Sequence, residues 1–317
     1  MTRIRALRTA LLVVGLLALA VTAVPAQAMR LTEPERTEST RSRCLDPDGV
    51  HGDGRSASRL RSPDHPEVTA AEKQAIDGRT DRILTSKAEI ADSAAGRGAS
   101  IPVQVHLMLS RSGEGDVSRL QIDQQIAVLN RQFGGHESSE AANTRFTFTL
   151  AGVQRYYNDK WHTDKDSLRY RARTRVGGPE TLNIWLVDFS ALGIATFPFQ
   201  YDAQPKTDGV RVHFDSLPGG SLKNYNLGGT ATHEIGHWLG LFHTFDGGCS
   251  RSNDGVGDTP AQKYPTSGCP DEQDSCTERR GVDPIHNYMD YSFDRCYNQF
   301  TPGQSMRMAE MWTAYRA

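Results

Sequence analysis

Apolar and polar residues alternate over residues 101–109 (Ile-Pro-Val-Gln-Val-His-Leu-Met-Leu), which predicts a strand with one well-buried face. Leu120, Ile122, Ile126, Leu129 and Phe133 follow at roughly helical spacing behind Ser118, a good capping residue. A helix is therefore predicted over 118–133, with those five side chains as its buried stripe. Shorter strands are expected at 146–150 and 153–156. The near-continuous apolar run at 182–189 reads as a central strand, and 192–199 and 210–214 as two more. Strand, helix, strands and then a helix rich in histidine make an α/β pattern. After Gly240 the chain turns loop-rich.

The region before this core has a different texture. Residues 29–66 are crowded with Arg, Glu, Ser, Asp and Gly and offer little to bury. A helix is expected at about 69–90, where Ala71, Ala75, Ile76, Ile83 and Leu84 give a ragged amphipathic pattern. Residues 94–98 read as a linker. At the N-terminus, Arg3, Arg5 and Arg8 precede an apolar stretch from Ala10 to Val24, and Ala26-Gln27-Ala28 supplies a small-x-small cleavage pattern. That stretch is shorter than the ~20 residues that span a bilayer, so it predicts a removable signal peptide. The expected organisation is a signal peptide at 1–28, a pro-segment at 29–98 and a catalytic domain at 99–317. A secreted, extracellular protein follows, with no membrane association after signal cleavage and a monomeric state.

Composition adds exclusions. The 317 residues are 37% hydrophobic and 23% charged. That is too apolar for wholesale disorder and too polar for a multi-span membrane protein. A net charge of −2 carries no basic signature, so nucleic acid is not an expected partner. Export implies an oxidising environment in which disulfides persist.

The densest chemistry is His-Glu-Ile-Gly-His-Trp-Leu-Gly-Leu-Phe-His at residues 233–243. On a helix, His233 and His237 lie about 40° apart and one turn along the axis, a spacing at which two imidazoles can chelate one Zn²⁺. His243 would be about 15 Å along a continued helix from His233. The helix must therefore end first, and Gly240 is the residue that can take the left-handed turn. Glu234 points about 100° from His233, as a base beside the metal rather than a fourth ligand. By chance this five-position pattern arises on the order of 1 in 10⁴ times in a chain of this length.

His-Glu-x-x-His-x-x-Gly-x-x-His resembles the zinc motif of metzincin metallopeptidases, whose second mark is a methionine-containing turn. Asn287-Tyr288-Met289-Asp290-Tyr291 supplies one. With Asn253-Asp254-Gly255-Val256-Gly257-Asp258-Thr259-Pro260 and Phe300-Thr301-Pro302-Gly303-Gln304, the chain is similar to the pappalysin family over roughly residues 101–315, most densely after Gly228. The resemblance implies a metzincin-type α/β fold, with a twisted, mostly parallel sheet, backing and active-site helices, and a loop-rich C-terminal subdomain below. It implies zinc on His233, His237 and His243, with Glu234 as general base and acid. Met289 would form the floor under the metal, and Tyr291 would support catalysis beside it. Residues 192–195 match the edge strand against which an extended peptide can lie.

The expected activity is hydrolysis of peptide bonds in protein or peptide substrates, by water on the open zinc position activated by Glu234. Two alternatives stay open: a secreted zinc-binding module without protease activity, and a zinc hydrolase acting on a non-peptide bond. Asp294 and Arg295 are candidates to line a specificity pocket, with conflicting signs.

Cys249, Cys269, Cys276 and Cys296 allow three pairings. The family resemblance implies Cys249–Cys276 and Cys269–Cys296. Asp246, Asn253, Asp254, Asp258 and Thr259 crowd hard oxygen donors into a Gly-rich loop. With the family's calcium binding, this makes a structural Ca²⁺ expected there, on Asp254, Asp258 and Thr259. The odd cysteine, Cys44, lies in Arg41-Ser42-Arg43-Cys44-Leu45-Asp46. As a thiolate it could take the open zinc position and hold the enzyme latent.

Overall fold

Strand β1 (Ser100–Leu109) begins as its alternation predicts, with Ile101, Val103 and Val105 buried between more open neighbours. From Val105 onward every residue is buried. The change marks where the second face of the sheet is also covered. His106 stacks on Trp185, and Met108 joins Tyr170, Trp185 and Val187 in a small cluster on that side. The computed structural model describes residues 65, 68–88 and 98–317, all within the unit Gly54–Ala317. The predicted signal peptide and Cys44 lie outside the described residues.

Helix α2 (Arg119–Phe133) starts at Ser118, whose side chain accepts from the Gln121 amide in a complete capping box. Ile122, Gln125, Leu129 and Phe133 face the core. Leu120, expected in that stripe, is 66% exposed, because it lies about 200° around the helix from Ile122. The two strands expected at 146–150 and 153–156 are one, β2 (Thr147–Tyr157). Its register against β1 slips by one residue between Val103/Leu150 and Gln104/Gly152, leaving Ala151 as a bulge. A bulge inverts the phase of the side-chain alternation, and that inversion imitates a break in the sequence pattern.

Helices α3 (Asp159–His162) and α4 (Ser167–Thr174) lead to β3 (Leu182–Val187), all six residues of which are buried. Strands β4 (Gly193–Ala195) and β5 (Val210–His213) complete the sheet. The order is β2-β1-β3-β5-β4, parallel except for β4, which pairs antiparallel with β5 at the edge. The strand expected over 192–199 is cut to three residues. Thr196 turns its hydroxyl to the Gly209 amide, and Pro198, which has no N–H for a ladder, opens a 3-10 turn.

Helix α5 (Gly229–Trp238) packs on β4 and β5, and the long C-terminal segment returns through α6 (Pro302–Tyr315), capped by Thr301. Two disulfides, Cys249–Cys276 and Cys269–Cys296, pin that segment, and both are the pairs the resemblance implied. The last turn is tied in by a fully buried ion pair. Arg316 forks onto both oxygens of Asp208 at 3.1 Å, donates to the Trp238 carbonyl and lies 3.6 Å over the Trp238 ring.

Helix α1 (Ala70–Ala88) lies against α6 through an unusual face. Ala71 and Ala75 are exposed, whereas Lys73 and Thr80 are buried. Asp77 pairs with Arg307 at 2.9 Å, Thr80 with the Tyr315 hydroxyl at 3.0 Å, and Lys87 with the Thr313 carbonyl at 2.7 Å. The docking is largely polar, which accounts for the ragged apolar pattern of this helix.

Candidate active site

All ten residues of α5 are buried, so its side chains are held by their surroundings on every side. Its entry at Gly228 has φ 94°, and the Asp294 carboxylate receives the amides of Leu227 at 2.8 Å and Gly229 at 3.2 Å. Burial pushes Asp294 up to about 6, opposed by those amides. Asp294 thus anchors the start of the helix through Oδ2, while its buried Oδ1 has no hydrogen-bond partner, and Arg295 lies against the Phe293 ring. At the other end, Gly240 takes φ 98° and the Leu241 amide reaches back to the Gly236 carbonyl at 3.0 Å. The chain reverses at Gly240 and returns His243 to the helix, as the spacing required.

The three histidines converge through Nε2, with His237 Nε2 at 3.1 Å from His233 Nε2 and 3.2 Å from His243 Nε2. Each opposite nitrogen faces oxygen. His233 Nδ1 is 2.6 Å from the Tyr288 carbonyl and His237 Nδ1 is 2.7 Å from the Leu241 carbonyl. His243 Nδ1 is 3.5 Å from the Asp246 carboxylate. Oxygen partners of this kind hold a proton on Nδ1 and leave the Nε2 lone pair directed inward, the usual outer arrangement of metal-binding histidines.

Glu234 is buried beside them, on the side of edge strand β4. A Cβ on Gly193 would stand 2.2 Å from Glu234 Oε1, so only glycine lets the strand come this close. Met289 is fully buried beneath the helix, its sulfur so near Gly236 that a Cβ there would lie 2.4 Å from it. The turn carrying Met289 is fixed by the Met289 amide on Asn287 Oδ1 at 3.0 Å and the Thr244 amide on the Met289 carbonyl at 3.2 Å. Tyr291 places its ring 4.9 Å from that of His243 and 5.7 Å from that of His233.

His65 carries no signal in the sequence, being a single histidine in a polar stretch. Its ring stacks on His243 at 4.4 Å and meets His237 edge-on at 4.6 Å, and its Nε2 is 3.6 Å from Asp246. A donor atom each from His65, His237 and His243 lie together within 4.8 Å. Burial alone would raise the Asp246 carboxyl, but His243, His65 and Lys73 around it hold it below the usual carboxylate range. Lys73, from α1, donates to the carbonyls of Asp246 and Asn253.

In the adjoining loop, Asn253 Oδ1 is buried without a hydrogen-bond partner. The Thr259 hydroxyl faces the buried Asp254 carboxylate, and burial pushes Asp254 up to about 7, opposed by the Val256 amide and Thr259. Asp258 does not face them. Its carboxylate takes the Thr301 hydroxyl and the Gly303 amide, both at 2.7 Å, at the start of α6.

An extracellular metalloprotease of Neurospora crassa is 40% identical over 265 residues, covering 81% of this chain and 87% of the relative. The Peptidase_M43 family model, described as pregnancy-associated plasma protein-A, matches residues 186–313, which hold the histidine cluster and the methionine turn. The chain belongs to the pappalysin family. An extracellular metalloprotease of Verticillium alfalfae is 44% identical over 69% of this pappalysin and 78% of its own length. Among solved structures, promirolysin of Tannerella forsythia superposes with a TM-score of 0.62 at 30% identity, covering 76% of this chain and 89% of that one. This pappalysin is accordingly an extracellular metalloendopeptidase with a metzincin-type domain. Among its described residues no helix is long and apolar enough to cross a membrane.

Proposed function

We propose that this pappalysin is a secreted zinc-dependent endopeptidase in which His233, His237 and His243 hold the zinc and Glu234 moves the proton. The observation that carries this reading is the convergence of three Nε2 atoms, 3.1 and 3.2 Å apart, beside a buried glutamate. Three neutral imidazoles on buried, oriented rings fit Zn²⁺ and leave an open position. Bound there, zinc supplies Lewis acidity that polarises a peptide carbonyl and acidifies water. Glu234 takes a proton from the attacking water and returns it to the leaving amine as the C–N bond breaks. Tyr291, beside His243, supports the oxyanion. Strand β4, the outermost strand of the described sheet, is the edge on which an extended peptide adds as a further strand, bringing its backbone past Glu234. Met289 is the packed floor that fixes the middle of α5.

Asp254 and Thr259, with Asn253, form a hard oxygen set suited to a structural Ca²⁺. Residues 1–28 are the signal peptide, 29–98 the pro-segment and 99–317 the catalytic domain. Helix α1 and His65, on the pro-segment, lie against the catalytic loops, which supports a zymogen, as does the likeness to promirolysin. The test is metal content and caseinolysis of two variants. Glu234→Ala keeps zinc and loses at least 10²–10⁴-fold in turnover, whereas His237→Ala loses the metal. Near-normal proteolysis by Glu234→Ala would overturn the assignment.

A further inference from the structure

At the carboxyl ends of the parallel strands, three connections and the end of β5 bring a second group of metal-binding side chains together. Glu114 follows β1, His162 follows β2, Asp188 follows β3, and His213 ends β5. Donor atoms of Glu114, His162 and Asp188 lie within 4.8 Å of one another. His162 Nε2 is 3.8 Å from a Glu114 oxygen and 3.8 Å from an Asp188 oxygen.

The tautomer of His162 is decided by its other nitrogen. Nδ1 is 2.8 Å from the Met108 carbonyl, which can only accept, so Nδ1 carries the proton of the neutral ring. Nε2 is then a lone pair. It is buried, has no hydrogen-bond partner, and faces two carboxylates that also offer only lone pairs. A side chain 3% exposed, held in this way, favours a cation between the three groups. With bonds of about 2.1 Å, tetrahedral ligand atoms stand about 3.4 Å apart, so closing on an ion draws each carboxylate nearer His162 Nε2 from 3.8 Å and draws Glu114 and Asp188 together from a separation of at most 4.8 Å.

The surroundings are built to hold this arrangement. The Asp188 amide donates to the His162 carbonyl at 2.7 Å, and the Glu114 loop is closed by the Ser110 amide on the Glu114 carbonyl at 3.0 Å. Gly115, at φ +88°, lies where a Cβ would be 2.9 Å from the His162 ring, so the loop closes on the imidazole only as glycine. His213 takes the Asp215 amide on Nδ1 at 3.2 Å, which puts its proton on Nε2, 3.4 Å from the second oxygen of Asp188. That is the outer histidine–carboxylate contact that orients a ligating carboxylate. Glu114 is exposed, which gives an ion a route in.

We propose that Glu114, His162 and Asp188 form a second, structural site for a divalent transition metal such as Zn²⁺, distinct from the three histidines of the motif, with His213 orienting Asp188. One imidazole and two carboxylates suit zinc better than calcium, and water completes the shell.

The test is zinc content of the full chain after equilibrium dialysis in buffered Zn²⁺, with melting temperature as the second readout. Two zinc ions per wild-type chain are expected, falling to one in Glu114→Gln and in His162→Asn. The melting temperature of wild type rises with zinc by more than that of Glu114→Gln. Glu114 is exposed, so its variant remains folded even where His162→Asn does not. A zinc count that Glu114→Gln leaves unchanged, whether the wild-type chain holds one ion or two, overturns the proposal.

Discussion

Gly193 lies so close to Glu234 that a methyl group on its α-carbon would stand 2.2 Å from the carboxylate oxygen and 2.3 Å from Cγ. The edge strand and Glu234 are therefore built as one unit. Gly193→Ala must push Glu234 aside or lift β4. Misplacement by about 1 Å can cost on the order of 10²-fold in rate. A fall in kcat/KM of that order is expected, with zinc content unchanged. Wild-type activity in Gly193→Ala would show that the carboxylate has room the structure denies it.

Arg316 and Asp208 form the buried pair on which the end of α5 rests, since Arg316 also holds the Trp238 carbonyl at 3.0 Å. Leaving a buried charge unpaired costs about 3–5 kcal/mol, but without Arg316 the Asp208 carboxylate keeps Arg175 at 3.4 Å and the Trp238 indole N–H at 3.2 Å. Arg316→Ala is expected to lose less than that figure in chemical denaturation. Arg316→Lys is expected to recover only part, because an ammonium cannot fork onto both oxygens.

His106 makes stability depend on pH. Burial pushes it down to about 4, opposed by its bond to Asn183. Asn183 Oδ1 accepts from His106 Nε2 at 2.8 Å, leaving buried Nδ1 without a partner to receive a proton. The folded pKa is below the unfolded value of about 6.5. Stability from this group is therefore complete above pH ~6.5 and declines as pH falls towards 4, by on the order of 3 kcal/mol. Urea denaturation of wild type and His106→Gln between pH 7 and 4 checks this, and parallel curves would refute it.

Calcium in the 253–259 loop would stabilise the folded state by mass action, by about 2.7 kcal/mol at one hundred times its Kd. Chelation that spares zinc is expected to lower the melting temperature of wild type and to leave Asp254→Asn unmoved. Equal shifts in both proteins would place the ion elsewhere.

Latency separates the roles proposed for Cys44 and His65. If the thiolate of Cys44 is the latch, the Met29-to-Ala317 form is latent and Cys44→Ala is active without cleavage. If His65 against His243 blocks the cleft, His65→Ala is the variant that loses latency. Retained latency in both singly and in the double variant would assign the block to the bulk of the segment.

Much of the site was legible because it is local. The spacing of His233, His237, Gly240 and His243 dictates one helical turn and one reversal, and the structure has both. The capping box at Ser118 is equally short-range. The strand pattern was readable wherever one face is open to solvent. It misled at Ala151, where a bulge inverts the alternation, and at residues 196–199, where a hydroxyl and a proline end the ladder.

What the sequence by itself determined is the family, the histidine motif and the main elements, since each depends on residues near one another in the chain. The tertiary structure decided the rest. It turned Asp258 to the start of α6 and Asp294 to the start of α5. It also seated Lys73 and His65 on the catalytic loops and gathered Glu114, His162 and Asp188 from three separate connections. These are contacts across tens to hundreds of residues. No periodicity encodes such a contact, because its energy exists only once the sheet has brought the strand ends together.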